Sequence, residues 1–366
     1  MNAILLLLAA SCARPTDKPA TSRPDFKIET VASGLHVPWA LAFAPDGRIF
    51  FTERPGNIRV IDKSGELNPK PILTIPNVVH RQETGMTGIA LHPDFAKNHW
   101  LYVAYAYEPD ATVRIVRYTE ANNQLTNEKV ILDNIPGGFI HAGTALAFGP
   151  DGKLYATTGD TADRDKAQDL DALEGKTLRL NDDGSIPKDN PFVGNANARG
   201  EIWTYGNRNS QGIAWQPGTN QMWEVEHGPS GFDGPGGGDE VNLMTKGGNY
   251  GWPVVDHEES HEGMVSPKLL WTPAEAPSGC AFYDGAKIPQ LKGNLFVACL
   301  KGENLMRLTV TGDNITAQEK IVTGLGRIRA VAEGLDGYLY FTTSNQDGRG
   351  YPRDNDDRIM RLVPAK

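Results

Sequence analysis

One histidine in this sequence lies where its side chain could act as a base. His141 follows the Gly137-Gly138 pair and precedes an apolar hairpin, so it lies where a loop enters a strand and a side chain can face a cavity. A neutral imidazole accepts protons near neutral pH and is a common general base. Histidines are also often structural, and the position alone leaves both interpretations open.

Cationic residues at three places indicate anion binding. Arg327 and Arg329 lie two residues apart in GRIRAV, so in a strand both guanidinium groups point to the same face. Lys301 follows a strand in ACLKGE. Arg208 lies beside Asn209 in a turn, where a guanidinium and an amide together clamp an anion or a carbonyl. The alternatives are a solvated ion-pair face and an ordinary surface turn.

The segment 226–252 contains too many glycines for regular secondary structure. Asp239 and Glu240 lie within it, so carboxylate and backbone carbonyl oxygens are close together. Such oxygens are the ligands that Ca²⁺ prefers, although the spacing is not that of an EF-hand. The alternative is a flexible surface loop.

The elements that must hold these residues are β-hairpins that recur along the chain. Each unit has an apolar run, a turn and a second apolar run. In 42–53, 147–159 and 332–344 the turn is Pro-Asp-Gly or Leu-Asp-Gly, and Asp-Gly tolerates the positive φ of tight turns. The units recur at roughly 40 to 70 residues, which is typical of propeller blades with insertions. They are 42–53, 89–106, 147–159, 213–228, 280–300 and 332–344.

This repeat predicts an all-β fold, a six-bladed β-propeller. One blade cannot bury both faces of its small sheet, so the blades must stack around an axis. We expect the final strand, within 356–363, to close the ring with N-terminal strands. A β-sandwich with repetitive turns is the alternative.

Length and charge narrow the functional classes. Because the core of a propeller is distributed between its blades, the 366-residue chain predicts a single propeller domain over 26–366. The formal net charge of −9 argues against nucleic acid or an anionic membrane surface as the partner. Any anion site must therefore be a local cluster of cations.

The N-terminus predicts export. Residues 1–12 form an apolar run too short to span a bilayer, and they end in Ala-Ala-Ser-Cys, as in lipoprotein signals. Cys12 would then carry a lipid anchor and 13–25 would be a flexible tether. The alternative is a longer signal peptide with a misassigned start. A disulfide between Cys280 and Cys299 is permitted in an exported protein, but two buried thiols are the favoured interpretation.

Taken together, these stretches resemble the soluble PQQ-dependent glucose/sorbosone dehydrogenases, and in particular the aldose sugar dehydrogenase branch. The resemblance runs from about residue 30 to 363 and rests on motifs in family order, among them VPWALAFAPDG, GIALHPDF, GNRNSQG, EHGP with GGDEVNL, GGNYGWP, LKGENLMRL and GRIR. It implies a site on the top face near the axis, with PQQ and Ca²⁺ as cofactors. It further implies oxidation of aldoses at C1 to lactones, an external electron acceptor, and a periplasmic or lipid-anchored monomer or homodimer.

The resemblance also implies roles for individual residues around PQQ. His141 matches the catalytic base, and Asp160 matches an acidic residue that supports it. Arg208 and Asn209 match residues on the quinone oxygens, with Arg208 counted as catalytic, and Glu83 stands where some members have Gln. The cations that bind the PQQ carboxylates in the family are matched here by Lys301, Arg327 and Arg329.

Two calcium sites are implied as well. Gly228 and Pro229 match backbone carbonyl ligands of the Ca²⁺ that bridges to PQQ. Asp239, Glu240 and Tyr250 match a second, structural Ca²⁺ region.

Two departures from the family pattern bear on function. The family motif HxGxRL has Ala145 at its arginine position, and the loop after Pro229 has the extra residues 230–237, SGFDGPGG. A propeller that only binds sugars or proteins, or a Ca²⁺-dependent lactonase, is therefore kept as an alternative. A lactonase would not need the cluster of Lys301, Arg327 and Arg329.

Overall fold

The computed structural model describes residues 25–365, and these form six four-stranded antiparallel sheets, the blades of a β-propeller. In five blades the four strands follow one another in the chain: β2–β5 (Pro38–Phe43, Ile49–Glu53, Asn57–Ile61, Leu73–Thr74), β6–β9 (Met86–Leu91, Trp100–Tyr107, Thr112–Ala121, Gln124–Ile135), β10–β13 (Leu146–Phe148, Leu154–Thr157, Lys176–Leu180, Ile202–Tyr205), β14–β17 (Ser210–Trp215, Met222–Glu226, Asp239–Met244, Leu269–Trp271) and β18–β21 (Pro277–Phe282, Leu295–Cys299, Asn304–Thr311, Asn314–Thr323). The sixth combines β22 (Ile328–Glu333), β23 (Leu339–Thr343) and β24 (Ile359–Pro364) with β1 (Phe26–Ala32). The helices are short: α1 (Phe95–Asn98) and two 3₁₀ turns, Arg164–Gln168 and Pro289–Leu291.

The six predicted hairpins are the two inner strands of the six blades. The unit 42–53 contains β2 and β3, 332–344 contains most of β22 together with β23, and the other four units match in the same way. Each innermost strand contacts the innermost strands of both neighbouring blades. The prediction of a six-bladed propeller is therefore confirmed.

Pairing between the two ends of the described chain closes the ring. β24 lies between β23 and β1, and its register with β1 runs from Phe26 opposite Pro364 to Ala32 opposite Ile359. This confirms the predicted closure.

The core lies between the blades. Trp223 is fully buried and packs edge-on against Phe282 of the next blade, in a cluster that includes Cys280 and Cys299. Both cysteines are free, which confirms the favoured interpretation. Cys280 pairs in register with Val297, so the two thiols are not opposite each other.

The predicted signal segment 1–12, the lipid anchor on Cys12 and nearly all of the tether 13–25 lie outside the described residues, of which the first is Asp25. Within 25–365, no helix is long and apolar enough to cross a membrane.

Candidate active site

The predicted site residues converge at one end of the propeller ring. A cavity of about 260 Å³ opens there, where the innermost strands begin and the second strands end. His141 precedes β10, Arg208 precedes β14, Lys301 follows β19 and Arg327 precedes β22, so four blades contribute. Nine predicted residues line the cavity: Glu83, His141, Arg208, Gly228, Pro229, Asp239, Lys301, Arg327 and Arg329.

His141 is held on both its backbone and its ring. His141 is only 3% exposed and has a backbone φ of 51°. Its backbone N–H donates to Glu83 Oε2 at 2.8 Å. The ring Nδ1 lies 2.5 Å from Asp160 Oδ1. This contact fixes the orientation of the imidazole in a wall of the cavity.

Asp160 determines which ring nitrogen of His141 carries the proton. Its carboxylate is fully buried and also accepts hydrogen bonds from Trp252 Nε1 at 2.8 Å and from the Ala162 backbone at 2.9 Å. Burial opposes ionisation, but the hydrogen bond and the charge of His141 outweigh it and hold the pKa of Asp160 below its ordinary value. An ionised carboxylate only accepts, so Nδ1 donates and the Nε2 lone pair of neutral His141 is free to accept a proton.

Close backbone packing brings Asp160 to His141. Gly159 is required because a Cβ there would lie 1.7 Å from the carbonyl oxygen of His141. The backbone of Gly159 also bridges to Asn209, and Asp160 N–H donates to the Arg208 carbonyl at 2.8 Å. We call His141, with Asp160 and Trp252 behind it, the base wall.

Lys301, Arg327 and Arg329 form the cation wall. Arg327 and Arg329 both donate to Asp347 Oδ2, at 2.8 and 3.1 Å, and Arg329 stacks over Trp39 at 3.9 Å. Burial lowers the pKa of Arg329 to about 10, which leaves it cationic at neutral pH. Burial disfavours the Asp347 carboxylate, but the two arginines hold its pKa below the ordinary value. Lys301 has no ion pair within 25–365, so the wall has more positive than negative charge.

Arg208 is bound by the enlarged loop 230–237. The Arg208 side chain is 2% exposed, its Nε donates to Asp233 Oδ2 at 2.8 Å, and its Nη2 lies 2.7 Å from the same oxygen in an ion pair. Nη1 donates to the His227 carbonyl at 3.1 Å and Nη2 to Ser230 Oγ at 3.2 Å. The guanidinium also lies 5.4 Å from the ring centroid of Trp252, which connects it to the base wall.

Asn209 and Glu83 form a second layer beside His141. Asn209 is buried just outside the cavity lining, with its Nδ2 3.5 Å from Glu83 Oε2. Glu83 Oε1 pairs with Arg349 at 2.9 Å. Burial opposes the charge of Glu83, but His227 and Arg349 hold its pKa below the ordinary value.

The predicted calcium residues divide between two places. Gly228 and Pro229 line the cavity, and the Pro229 carbonyl accepts a hydrogen bond from Gly237 N–H at 3.1 Å. Asp239 also lines it, but both its oxygens accept backbone N–H groups, from Gly228 at 2.9 Å and Ala276 at 2.6 Å. Glu240 and Tyr250 line two smaller clefts, one of which shares Gly228 and Pro229 with the cavity lining. Within 25–365 there is no cluster of three or more His, Cys, Asp or Glu residues suited to a metal ion.

Sequence reasoning missed several residues of the site. His227, Gln211, Asp347 and Arg349 also line the cavity, and Asp233 binds Arg208. His227 lies in the EHGP motif, which is a signal that could have found it. Asp233 and Arg349 have no such signal because their contacts depend on how two loops fold.

The chain matches the Glucose / Sorbosone dehydrogenase family over residues 35–358. It is 36% identical over 343 residues to aldose sugar dehydrogenase YliI of Escherichia coli, covering 88% of this chain and 91% of that protein. It is 34% identical over 285 residues to quinoprotein glucose dehydrogenase B of Acinetobacter calcoaceticus, and the match covers 69% of this chain and 57% of that protein. The PQQ-bound aldose sugar dehydrogenase of Streptomyces coelicolor has a TM-score of 0.81 and 33% identity, covering 95% of this chain and 99% of that one.

The chain belongs to the glucose/sorbosone dehydrogenase family. It is therefore a propeller of an oxidoreductase family that acts on sugars, and the cavity is its candidate active site.

The two departures from the family pattern have different structural consequences. Ala145 lies outside the cavity lining and packs in an apolar cluster with Tyr155 and Ile213. The loop 230–237 contributes Ser230 and two glycines to the lining and also binds Arg208. Of the two departures, only the loop therefore forms part of the cavity wall.

Proposed function

We propose that this protein oxidises aldose sugars at C1 to the lactone with PQQ and Ca²⁺ as cofactors. One observation carries the proposal: an imidazole with its proton fixed on Nδ1 by a buried carboxylate shares one cavity with a wall of excess cations. A base that accepts a proton and a cradle for a multiply negative cofactor are the two things this oxidation requires.

The residues of the cavity fit PQQ. Five cationic side chains and only three carboxylates line it, which suits a planar ligand with several carboxylate groups. His227 Nε2 and Asn209 Oδ1 are buried and lack hydrogen-bond partners within residues 25–365, so polar groups of a ligand can pair with them. Lys301, Arg327 and Arg329 would hold the carboxylates, and Arg208 and Asn209 the quinone oxygens.

Calcium would bind at the carbonyls of Gly228 and Pro229. Both residues line the cavity, and neutral carbonyl oxygens alone are a weak site for a divalent cation. The ion would therefore need the anionic oxygens of PQQ to complete its shell. Each oxygen of the Asp239 carboxylate accepts one backbone N–H, so this side chain supports the backbone at Gly228.

The base wall performs the proton transfer. PQQ, when bound, supplies the two-electron hydride acceptor, which no side chain provides. His141 Nε2 accepts the proton of the C1 hydroxyl as hydride leaves C1, and the C1 carbon becomes the carbonyl of the lactone. The Asp160 carboxylate stabilises the imidazolium that forms, and Trp252 keeps that carboxylate in place. Arg208 would stabilise negative charge that develops on the quinone oxygen.

Reconstitution with a blocked sugar tests this function. The protein is loaded with PQQ and Ca²⁺, and the absorbance of the quinone is followed after adding D-glucose or methyl β-D-glucopyranoside, which has no free C1 hydroxyl. We expect D-glucose to reduce the quinone and the glucoside to leave it oxidised. A panel of aldoses that leaves bound PQQ oxidised would contradict the proposal and favour a sugar-binding propeller.

A further inference from the structure

Phe232 is a large aromatic residue whose side chain is largely exposed to solvent. It is 64% exposed, on the loop that differs from the family pattern. Its ring lies nearly parallel to that of His141, with an interplanar angle of 25° and 6.0 Å between centroids. Ser230 and Gly236, on either side of it in the loop, line the cavity. Phe232 is therefore at the solvent-exposed edge of the site, beside the imidazole.

The loop that carries Phe232 is fixed in place. The neighbouring Asp233 has a side chain that is only 10% exposed, and it accepts a hydrogen bond from Nε of the buried Arg208 guanidinium and forms an ion pair with its Nη2. Its other oxygen accepts the Ser230 N–H at 2.9 Å, and Gly231 N–H donates to the Gly234 carbonyl at 3.1 Å. A charge-assisted pair at this burial orders the loop before any ligand arrives, so the aromatic ring is pre-positioned.

We propose that Phe232 is a substrate-binding residue that contacts the apolar C–H face of the sugar ring while the C1 hydroxyl reaches His141, and that Asp233 is the residue that positions it. An aldopyranose presents hydroxyl groups around its edge and axial C–H bonds on its faces, so an exposed aromatic ring matches a face. The ring is adjacent to the imidazole that must receive the C1 proton, so a sugar contacting both is held with C1 at the base. This inference rests on the proposed function and names the residue that selects its substrate.

Kinetics of matched variants test the proposal. In Phe232→Ala the KM for D-glucose should rise about 2- to 12-fold, since an aromatic contact is typically worth roughly 0.5–1.5 kcal/mol. The kcat and the affinity for PQQ should stay within twofold, and Phe232→Tyr should restore the KM. The matched control is Leu335→Ala: Leu335 is 68% exposed but lies in the turn between β22 and β23, at the end of the blade away from the cavity. An unchanged KM in Phe232→Ala would overturn the proposal.

A binding measurement separates this inference from the proposed function. Saturation-transfer NMR with methyl β-D-glucopyranoside on the protein loaded with PQQ and Ca²⁺ needs no turnover. With the wild type we expect the strongest saturation transfer at the axial ring protons of the glucoside. This transfer should be retained with Leu335→Ala and lost with Phe232→Ala. If no aldose is oxidised but Phe232→Ala still loses the transfer, the proposed function fails and the sugar contact stands. Equal transfer in both variants would refute the contact even if the wild type is an active dehydrogenase.

Discussion

The base wall and the cation wall of the cavity satisfy their polar groups in different ways. In the base wall, Asp160 accepts from His141, Trp252 and a backbone N–H, so this chain of hydrogen bonds is complete without a ligand. In the cation wall, two guanidinium groups share the single carboxylate of Asp347, and Lys301 has no ion pair in the described part of the chain. The first wall therefore fixes the orientation of an imidazole, and the second has positive charge left over for an anion.

The largest expected effect separates the two walls through His141. In His141→Gln, kcat should fall by about 10²–10⁴-fold, because a positioned general base is typically worth that much and glutamine cannot accept the proton. The affinity for PQQ should stay within about threefold. Single-turnover reduction of the quinone by D-glucose measures the first quantity, and absorbance titration the second. A wild-type rate would show that hydride transfer needs no base at this position.

The cation wall should respond in the opposite way. Arg327→Glu should weaken PQQ binding by at least about 100-fold, because it replaces a buried cation of the wall with a second buried carboxylate beside Asp347 and leaves Arg329 to compensate both. With enough PQQ to saturate the site, Arg327→Lys should recover part of the activity. Arg353, an exposed arginine, provides the control: Arg353→Glu should leave affinity unchanged. Unchanged PQQ affinity in Arg327→Glu would remove this wall from the cofactor site.

Asp347→Asn should improve binding at the cost of stability. Removing the shared carboxylate leaves more net positive charge, so PQQ should bind more tightly, while the free energy of unfolding at pH 7 falls by about 1–3 kcal/mol. The pKa of Asp347 is lower in the folded protein than its unfolded value of about 3.9. The stabilisation of the fold by this carboxylate is therefore fully present above the unfolded pKa and is lost as pH falls through the lower folded pKa. Denaturant unfolding should therefore show a gap between variant and wild type at pH 7 that closes at strongly acidic pH. A gap that does not depend on pH would mean that the carboxylate charge is not what stabilises this wall.

The smallest effect is expected for the ion pair between Arg349 and Glu83, which lies between the base wall and the cation wall. Arg349 pairs with Glu83, which holds the His141 backbone, but the arginine side chain is 56% exposed. Solvent screens such a pair, so Arg349→Ala should change kcat/KM less than about threefold. A loss as large as that of His141→Gln would show that the walls depend on each other.

The inner half of each blade could be predicted from sequence because its signal is local. An apolar run, a turn and a second apolar run specify a hairpin wherever they occur, and these hairpins became β2–β3 through β22–β23. The outer strands have no such signal, and they range from two residues in β5 to twelve in β9. Their lengths depend on the packing of the neighbouring blade and on the loops that follow.

The site could be predicted only in part for a related reason. His141, Arg208 and the three residues of the cation wall stand in local sequence motifs, so each could be found without knowing its contacts. The pairing of Arg208 with Asp233 and the shared Asp347 were not found, because each joins residues whose proximity exists only after two loops have folded. Glu240 and Tyr250, grouped with Asp239 by the family resemblance, line smaller clefts beside the cavity and not the cavity itself.

The ring closure between β1 and β24 also bears on when a ligand could bind in the cavity. The blade that supplies Arg327 and Arg329 is the only one of the six assembled from both ends of the described chain, so during synthesis it stays incomplete until β24 has been made. A ligand held by cations of this blade and by groups of three other blades would bind only the closed ring. Its binding would therefore stabilise the closed ring, in addition to the pairing of β1 with β24. A chain that ends before β24 would keep every residue of the cavity and still lack the closed ring that brings them together.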